Sequence, residues 1–384
     1  MQKVDIYRMK KILSFALAAL MVTAFPSCTE DRGGDATDGW EKMFQRDDPD
    51  PEEDTTPDDY DPEKGPWFLT RGIVCCWTDV SKRSKLDYID IAKRTGLNCF
   101  SIYNADLSSA VWQSYTGECS RNGIDIEFEE HMLSFLLPRE LYQTHPEYFR
   151  MNDRGVRVDD ANGCPSNEEA LAIIRERAKI IGEKYKSTNN KYYCWLDDTG
   201  DICHCPDCKG LNPADQSLLF ENVIIEGLKE VNPDATLAHL AYYNTVEAPK
   251  TVKPVDGIFL EFAPIDRDHY HPLSTTWASG KDGRTHGQYL KALSDNLKIF
   301  PKETAQVLEY WLDCSLFSNW DESNLKEVAW NQDLFEDDIK TYASYGIRHV
   351  MTYTSYISAN YVAKFGYPSC IDRYAEGLRD FVKK

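Results

Sequence analysis

Two adjacent carboxylates at the end of a short apolar run are the most chemically suggestive feature of this sequence. Tyr192, Tyr193, Cys194, Trp195 and Leu196 lead into Asp197 and Asp198, and three cysteines follow at close spacing, Cys203, Cys205 and Cys208. Paired acids suit proton transfer, because the charge of one holds back ionisation of the other. Cysteines so close together suit a brace. It is either a structural zinc site completed by Cys164, His204 or Cys194, or a set of disulfides. A catalytic metal is not expected, since such a ligand set leaves no open position.

Further acids and aromatic residues recur at the ends of other apolar runs. Beyond residue 64 the pattern alternates short apolar runs with longer amphipathic stretches. The runs are 72–77, 97–103, 127–137, 192–196, 236–243, 257–262, 305–312 and 349–353. Helix-like stretches lie between or after them at 85–95, 167–185, 215–231, 287–299, 325–345 and 369–382. Eight strands alternating with helices predict parallel pairing through right-handed crossovers and a closed (β/α)8 TIM barrel. An open doubly wound sheet is disfavoured by the lack of a glycine-rich phosphate turn. The segments 105–126 and 138–164 read as long irregular walls of a cleft.

In such a barrel the C-terminal strand ends carry the chemistry. They supply Trp77, Asn104, Asp106, His131, Asp197, Asp198, Tyr242, Tyr243, Asn244, Glu261, Glu309, Tyr310, Trp311, Asp313, Tyr353 and Tyr356, to which Arg71 is added from the first strand. Acids mixed with aromatic rings suit a sugar: rings stack on pyranose faces, and carboxyl groups bind hydroxyls and move protons in glycosidic cleavage. Glu261 and Glu309 stand inside apolar runs, where an unpaired carboxylate is costly, and this marks them as candidates. His131 reads equally as a core histidine or a substrate ligand.

The N-terminus reads as a targeting segment. Lys10 and Lys11 precede an apolar run over 12–25 that is too short to span a bilayer, and Cys28 follows a small serine. Residues 1–27 are expected to be a lipoprotein signal, with Met9 as an alternative start and Cys28 as the lipidated residue. Residues 29–64 hold 15 acidic and 4 basic residues, so 11 of the 20 net negative charges lie there. Residues 28–64 therefore read as an acidic, disordered tether ahead of one domain at 65–384. The acidity disfavours a nucleic-acid partner. Twelve cysteines, one of them lipidated, leave an odd number and so at least one thiol outside any disulfide. Cys75 and Cys76 fit burial as small hydrophobes.

The run HMLSFLLPRELYQTHPEYFRMNDRGVR, followed by GCPSNEEA, LDDTGDICHCPDCKG and VNPDATLAHLAYYNTVEAP, resembles the bacterial domain of unknown function 4838. Part of that group is classified as glycoside hydrolase family 163, β-N-acetylglucosaminidases acting on complex N-glycans. The resemblance covers about residues 67 to 380. It implies a (β/α)8 catalytic domain with hexosaminidase-type chemistry on host glycans and no catalytic cofactor; the additional α/β domain that many members carry ahead of the barrel is not expected here. The acidic run after Cys28 resembles the export signal of surface lipoproteins in the Bacteroidetes, implying a cell-surface, outer-membrane location.

A more distant similarity, to hexosaminidases of families 20 and 84, implies that Asp197 polarises the substrate acetamide and that Asp198 is the general acid/base. It further implies that Tyr243 or Tyr310 bonds the acetamide carbonyl and that Arg71 grips sugar hydroxyls. Two alternatives stay open. One is a different glycosidase: ordinary retention with an acid/base from the fourth strand and Glu309 as nucleophile, or an α-glucuronidase-like enzyme using Glu261 and Glu309. The other is a catalytically inactive carbohydrate-binding lipoprotein on the same barrel.

Overall fold

The computed structural model describes residues 61, 63 and 65–383. The expected signal segment, the lipidation site Cys28 and nearly all of the acidic tether lie outside the described residues. Among the described residues no helix is long and apolar enough to cross a membrane.

Among the described residues nine strands form one all-parallel sheet: β1 (Thr70–Cys76), β2 (Cys99–Tyr103), β3 (Asp125–Glu127), β4 (Glu129–His131), β5 (Lys191–Trp195), β6 (Thr236–Tyr242), β7 (Ile258–Ala263), β8 (Gln306–Glu309) and β9 (His349–Tyr353). Their order is β3-β2-β1-β9-β8-β7-β6-β5-β4. β3 and β4 stand at the two edges of that order, yet only Phe128 separates them in sequence. β3 pairs with β2 and β4 pairs with β5, so a single divided strand closes the ring. The result is the expected eight-stranded barrel, with its third strand in two pieces.

The local sequence explains the helices that support it. Asn167 caps the helix Glu168–Lys184 by accepting from the Ala170 N–H at 2.8 Å. Asn212 with Asp215, and Thr285 with Gln288, form reciprocal capping boxes at Pro213–Val231 and His286–Leu297. The glycine Gly96, at φ 91°, ends the helix Tyr88–Thr95 in the left-handed conformation that such a terminus requires.

Three expected boundaries move. The third strand runs over residues 125–131 instead of 127–137, and the apolar residues after it form the short helix Leu133–Leu136. Within 105–126, expected to be irregular, lies the helix Ala110–Arg121, whose buried face is Trp112, Tyr115 and Cys119. The helix expected from 325 begins at Gln332, capped by Asn331.

Residues alternate across the barrel wall. Val74, Cys99, Tyr193, Trp195, Ala238, Phe259, Ala263, Leu308, Tyr310 and Met351 pack together inside the ring, while the intervening strand residues pack outward on the helices. Cys75 is buried as expected, and its neighbour Cys76 is half-buried.

Candidate active site

The barrel interior is not wholly apolar. Glu127 accepts from Tyr193 Oη at 3.0 Å, and Gln306 Nε2 donates to both Tyr193 Oη at 3.1 Å and Glu261 at 2.9 Å. Trp195 Nε1 donates to the other Glu261 oxygen at 3.0 Å, and Lys191 Nζ donates to Gln306 Oε1 at 3.1 Å. Burial is the main force that raises the Glu261 carboxyl to about 8, against the hydrogen bonds from Trp195 and Gln306. Each bond contributes net about 1 kcal/mol. The cost of burying an isolated charge is far larger, so the proton stays on.

Glu129 stands in this layer without comparable support. It is 2% exposed and neither carboxylate oxygen has a hydrogen-bond partner. Burial pushes its carboxyl well above the usual range, and the nearby acids Glu261 and Glu127 push it further. Ser101 offsets part of this, although its hydroxyl makes no hydrogen bond of normal geometry. Sequence reasoning passed Glu129 over. The available signal was an acid at alternate spacing in IEFEEH, on the face that carries Glu127 and His131.

Above this layer the C-terminal strand ends open into a cleft. His131, Trp195, Asp197, Tyr242 and Asn244 line it. His131 is exposed, hydrogen-bonded through Nδ1 to the Leu196 carbonyl and set edge-on to Trp195 at 5.3 Å. It is therefore a surface group and not a core histidine. Nearby, Tyr310 and Tyr353 stack at 5.4 Å and 17°.

The two adjacent acids have different environments. Asp197 Oδ2 accepts from Arg139 Nη2 and from the Asn162 backbone N–H, the latter at 2.6 Å. Arg139 Nη1 also reaches the Asn162 carbonyl at 2.8 Å. Asp197 thus anchors the turn to the wall over residues 138–164 through Oδ2, and among the described residues no hydrogen bond reaches its Oδ1. Asp198 is exposed, and the Tyr242 hydroxyl donates to its Oδ1 at 3.1 Å.

Backbone strain gathers at this end of the barrel. Asn104 follows β2 at φ 58°, Tyr243 follows β6 at φ 53°, and Tyr356 comes soon after β9 at φ 68°. Non-glycine residues in the left-handed region cost of order 1 kcal/mol or more and concentrate at functional sites. The Asn104 N–H donates to Glu130 at 2.9 Å, and Tyr243 leaves an exposed ring 6.0 Å from Tyr242.

Several other sequence candidates are not brought to this cleft. Glu309 is wholly buried on the outer side of β8, paired with Arg267 at 3.2 Å and accepting from Tyr342 Oη at 2.5 Å. Alternation explains this: Gln306, Leu308 and Tyr310 face inward, so Glu309 and Trp311 face the helix Gln332–Ser344. Trp311 Nε1 donates to Asp338 at 2.9 Å and packs on Phe335. Arg71 sits near the start of β1, at the opposite end of the barrel, where it donates to the carbonyls of Gly96 at 2.8 Å and Phe68 at 2.7 Å. Trp77 follows β1 but packs edge-on against Trp112 and Tyr115. Asp313 is buried and caps Cys314–Phe317, Asp106 bonds Ser108, and Tyr356 Oη donates to the Trp320 carbonyl.

Beside the cleft, Cys164, Cys203, Cys205 and Cys208 come together, all buried. Cys194 lies apart, on β5 in the core between sheet and helices, and His204 is exposed.

Comparison with curated proteins returns no match. Among solved structures, a tri-modular GH5 (subfamily 4) endo-beta-1,4-glucanase from Bacillus licheniformis, complexed with cellotetraose, is similar at a TM-score of 0.46 and 12% identity. That match covers 81% of this chain and 59% of the glucanase. Alpha-L-fucosidase isoenzyme 2 from Paenibacillus thiaminolyticus aligns at a TM-score of 0.43 and 11% identity, over 80% of this chain and 48% of that one. A family 5 xyloglucanase from Paenibacillus pabuli aligns at a TM-score of 0.42 and 12% identity, over 80% and 98%. The family model described as Domain of unknown function (DUF4838) matches residues 49–363, and the chain belongs to that family.

Proposed function

We propose that this chain is a glycoside hydrolase that releases β-linked N-acetylhexosamine from glycans, with the substrate's own acetamide as nucleophile. The observation that carries this reading is the division of labour among the carboxylates. Asp198 is exposed and oriented by Tyr242 at the aromatic-lined mouth. Glu261 faces the barrel interior and Glu309 the helix layer, so the strand wall stands between them. Two acids so placed are poorly set to flank one glycosidic bond, as a glucuronidase-like reaction would require, and Glu309 on the helix side of the wall is poorly placed to be the nucleophile of ordinary retention.

In the proposed reaction the acetamide oxygen attacks the anomeric carbon while Asp198 gives its proton to the leaving oxygen. Asp197 Oδ1, the oxygen not engaged by Arg139, accepts the acetamide N–H. Water then attacks the cyclic intermediate and loses a proton to Asp198, which restores the acid and yields a product of retained configuration. The half-buried Tyr242 and the exposed Tyr243 supply stacking surface for sugar. Anchorage through a lipid on Cys28, at the outer cell surface, is part of the same reading and rests on the N-terminal sequence.

The test is hydrolysis of an aryl β-N-acetylglucosaminide and of N-glycans by the wild type and by Asp198→Asn. The expected loss in kcat is about 10²–10⁴-fold, the usual worth of a positioned general acid. A thiazoline analogue of N-acetylglucosamine should inhibit the wild type. An Asp198→Asn rate equal to that of the wild type overturns the assignment, and glycan binding without any turnover points to a binding protein.

A further inference from the structure

Four cysteine sulfurs from two distant segments meet where no core packing demands them. Cys164 ends the wall segment, and Cys203, Cys205 and Cys208 lie on the loop after β5. Their sulfurs all lie within 4.8 Å of one another, with Cys164 Sγ 3.7 Å from Cys205 Sγ and 4.0 Å from Cys208 Sγ. Among the described residues they form a cluster of their own, with the partly buried Met151 as the hydrophobic side chain packed against it. Cys75, Cys119 and Cys194, by contrast, sit within the large apolar core.

We infer that these four thiolates hold one structural Zn²⁺. Tetrahedral zinc with Zn–S bonds of about 2.3 Å sets its sulfurs about 3.8 Å apart, which the observed 3.7 and 4.0 Å match. A disulfide needs sulfurs about 2.0 Å apart and would single out pairs. Here Cys164 is nearly equidistant from two partners, so no pair is singled out.

The surroundings suit thiolates. The Met151 N–H points to Cys203 Sγ at 3.3 Å, and Arg157 Nη1 lies 3.7 Å from the same sulfur. Ser166 Oγ is 3.2 Å from Cys208 Sγ. Binding releases four thiol protons to solvent and leaves a complex of charge −2, toward which Arg157 brings positive charge. Soft sulfur donors select zinc over magnesium or calcium, and the filled coordination shell excludes a bound, activated water.

The site has a mechanical consequence. It clamps the loop after β5 to the wall segment, and the same two segments are joined by Asn162 to Asp197 and by Asn162 Nδ2 to the Asp201 carbonyl at 2.8 Å. Zinc therefore fixes the turn that presents Asp197 and Asp198.

The test is metal analysis of the full chain purified without chelator. One zinc per chain is expected, with X-ray absorption showing four sulfur ligands at about 2.3 Å, and a mercurial thiol reagent should release it. Cys205→Ser should lose the metal, whereas Cys119→Ser, whose thiol is buried in the apolar core, should keep it. Wild-type protein with less than about 0.1 zinc per chain overturns the inference. So does stoichiometric iron, or a peptide in which Cys164 is disulfide-linked to the 203–208 loop.

Discussion

Glu309 and Arg267 form an ion pair of 3.2 Å with both side chains fully shielded from solvent. The same guanidinium reaches Asp338 at 2.6 Å, so one cation joins β8 to the helix Gln332–Ser344. Removing Glu309 takes the acceptor from Tyr342 Oη and leaves a buried cavity, but Arg267 keeps Asp338 as its counter-ion, so the cost is about 2–3 kcal/mol rather than that of an uncompensated charge. Glu309→Ala is therefore expected to lower unfolding stability by about that amount, while the molecules that remain folded keep wild-type kcat. Urea unfolding and turnover per folded molecule check this. A variant of unchanged stability with a large loss of turnover would return Glu309 to the reaction.

Asp197 and Arg139 give a different expectation, because their side chains keep 18% and 24% of their exposure. Each is tied to Asn162, whose amide also bridges to Asp201. Arg139→Met and Asp197→Asn should each cost about 1–3 kcal/mol, and the double variant should cost clearly less than their sum. Arg139→Met should lower kcat through the turn while its pH profile keeps the wild-type shape. Additive stability losses in a double-mutant cycle would mean the two do not act as one anchor.

Glu261 makes stability depend on pH. The unfolded chain loses this proton near the ordinary carboxyl value of 4.5, and the folded barrel keeps it to about 8. Between those values the folded state holds more protons than the unfolded one, so stability falls as pH rises through the window and levels above about 8. A shift of one unit corresponds to about 1.4 kcal/mol, which makes the total a few kcal/mol. Glu261→Gln keeps the shape and cannot ionise, although its amide nitrogen cannot accept as a carboxyl oxygen does, so one of the bonds from Trp195 Nε1 and Gln306 Nε2 is lost; it should lower stability overall and flatten Tm between pH 5 and 8. A wild-type Tm that rises across that interval would contradict it.

The barrel was legible because seven of its strands are continuous apolar runs, buried on both faces, separated by helix-length intervals. The same property hid which way Glu309 and Trp311 point: the run AQVLEYWL is apolar on both faces and shows no alternation. The third strand failed for the opposite reason. Its inward face carries Asp125, Glu127 and Glu129, so its hydrophobicity is low although it lies in the wall of the ring. The helix Ala110–Arg121 carries Gly117 and two Ser residues, which masked an apolar stripe of Trp112, Tyr115 and Cys119. Asp197 and Asp198 stood out as a pair, but their different environments are set by Arg139, Asn162 and Tyr242. Those residues lie 58, 35 and 44 positions away, beyond the reach of local pattern.

Glu129 allows stability and activity to be tested against each other. Its carboxyl is buried in the layer of Tyr193, its partner across β4 and β5, with His131 the next inward residue toward the cleft. An unpartnered buried polar group costs about 1–3 kcal/mol, and a residue that is costly in the folded state and placed beneath a cleft is a candidate for function. Glu129→Met keeps the length and removes the polar atoms. It is expected to raise unfolding stability by about 1–3 kcal/mol and to lower kcat at least about tenfold, a pattern found where an active site retains a destabilising group. Chemical unfolding and steady-state turnover measured on the same preparation check both halves. Lower stability would mean that the carboxyl is satisfied in the folded protein, and higher stability at full activity would mean that it is a tolerated defect.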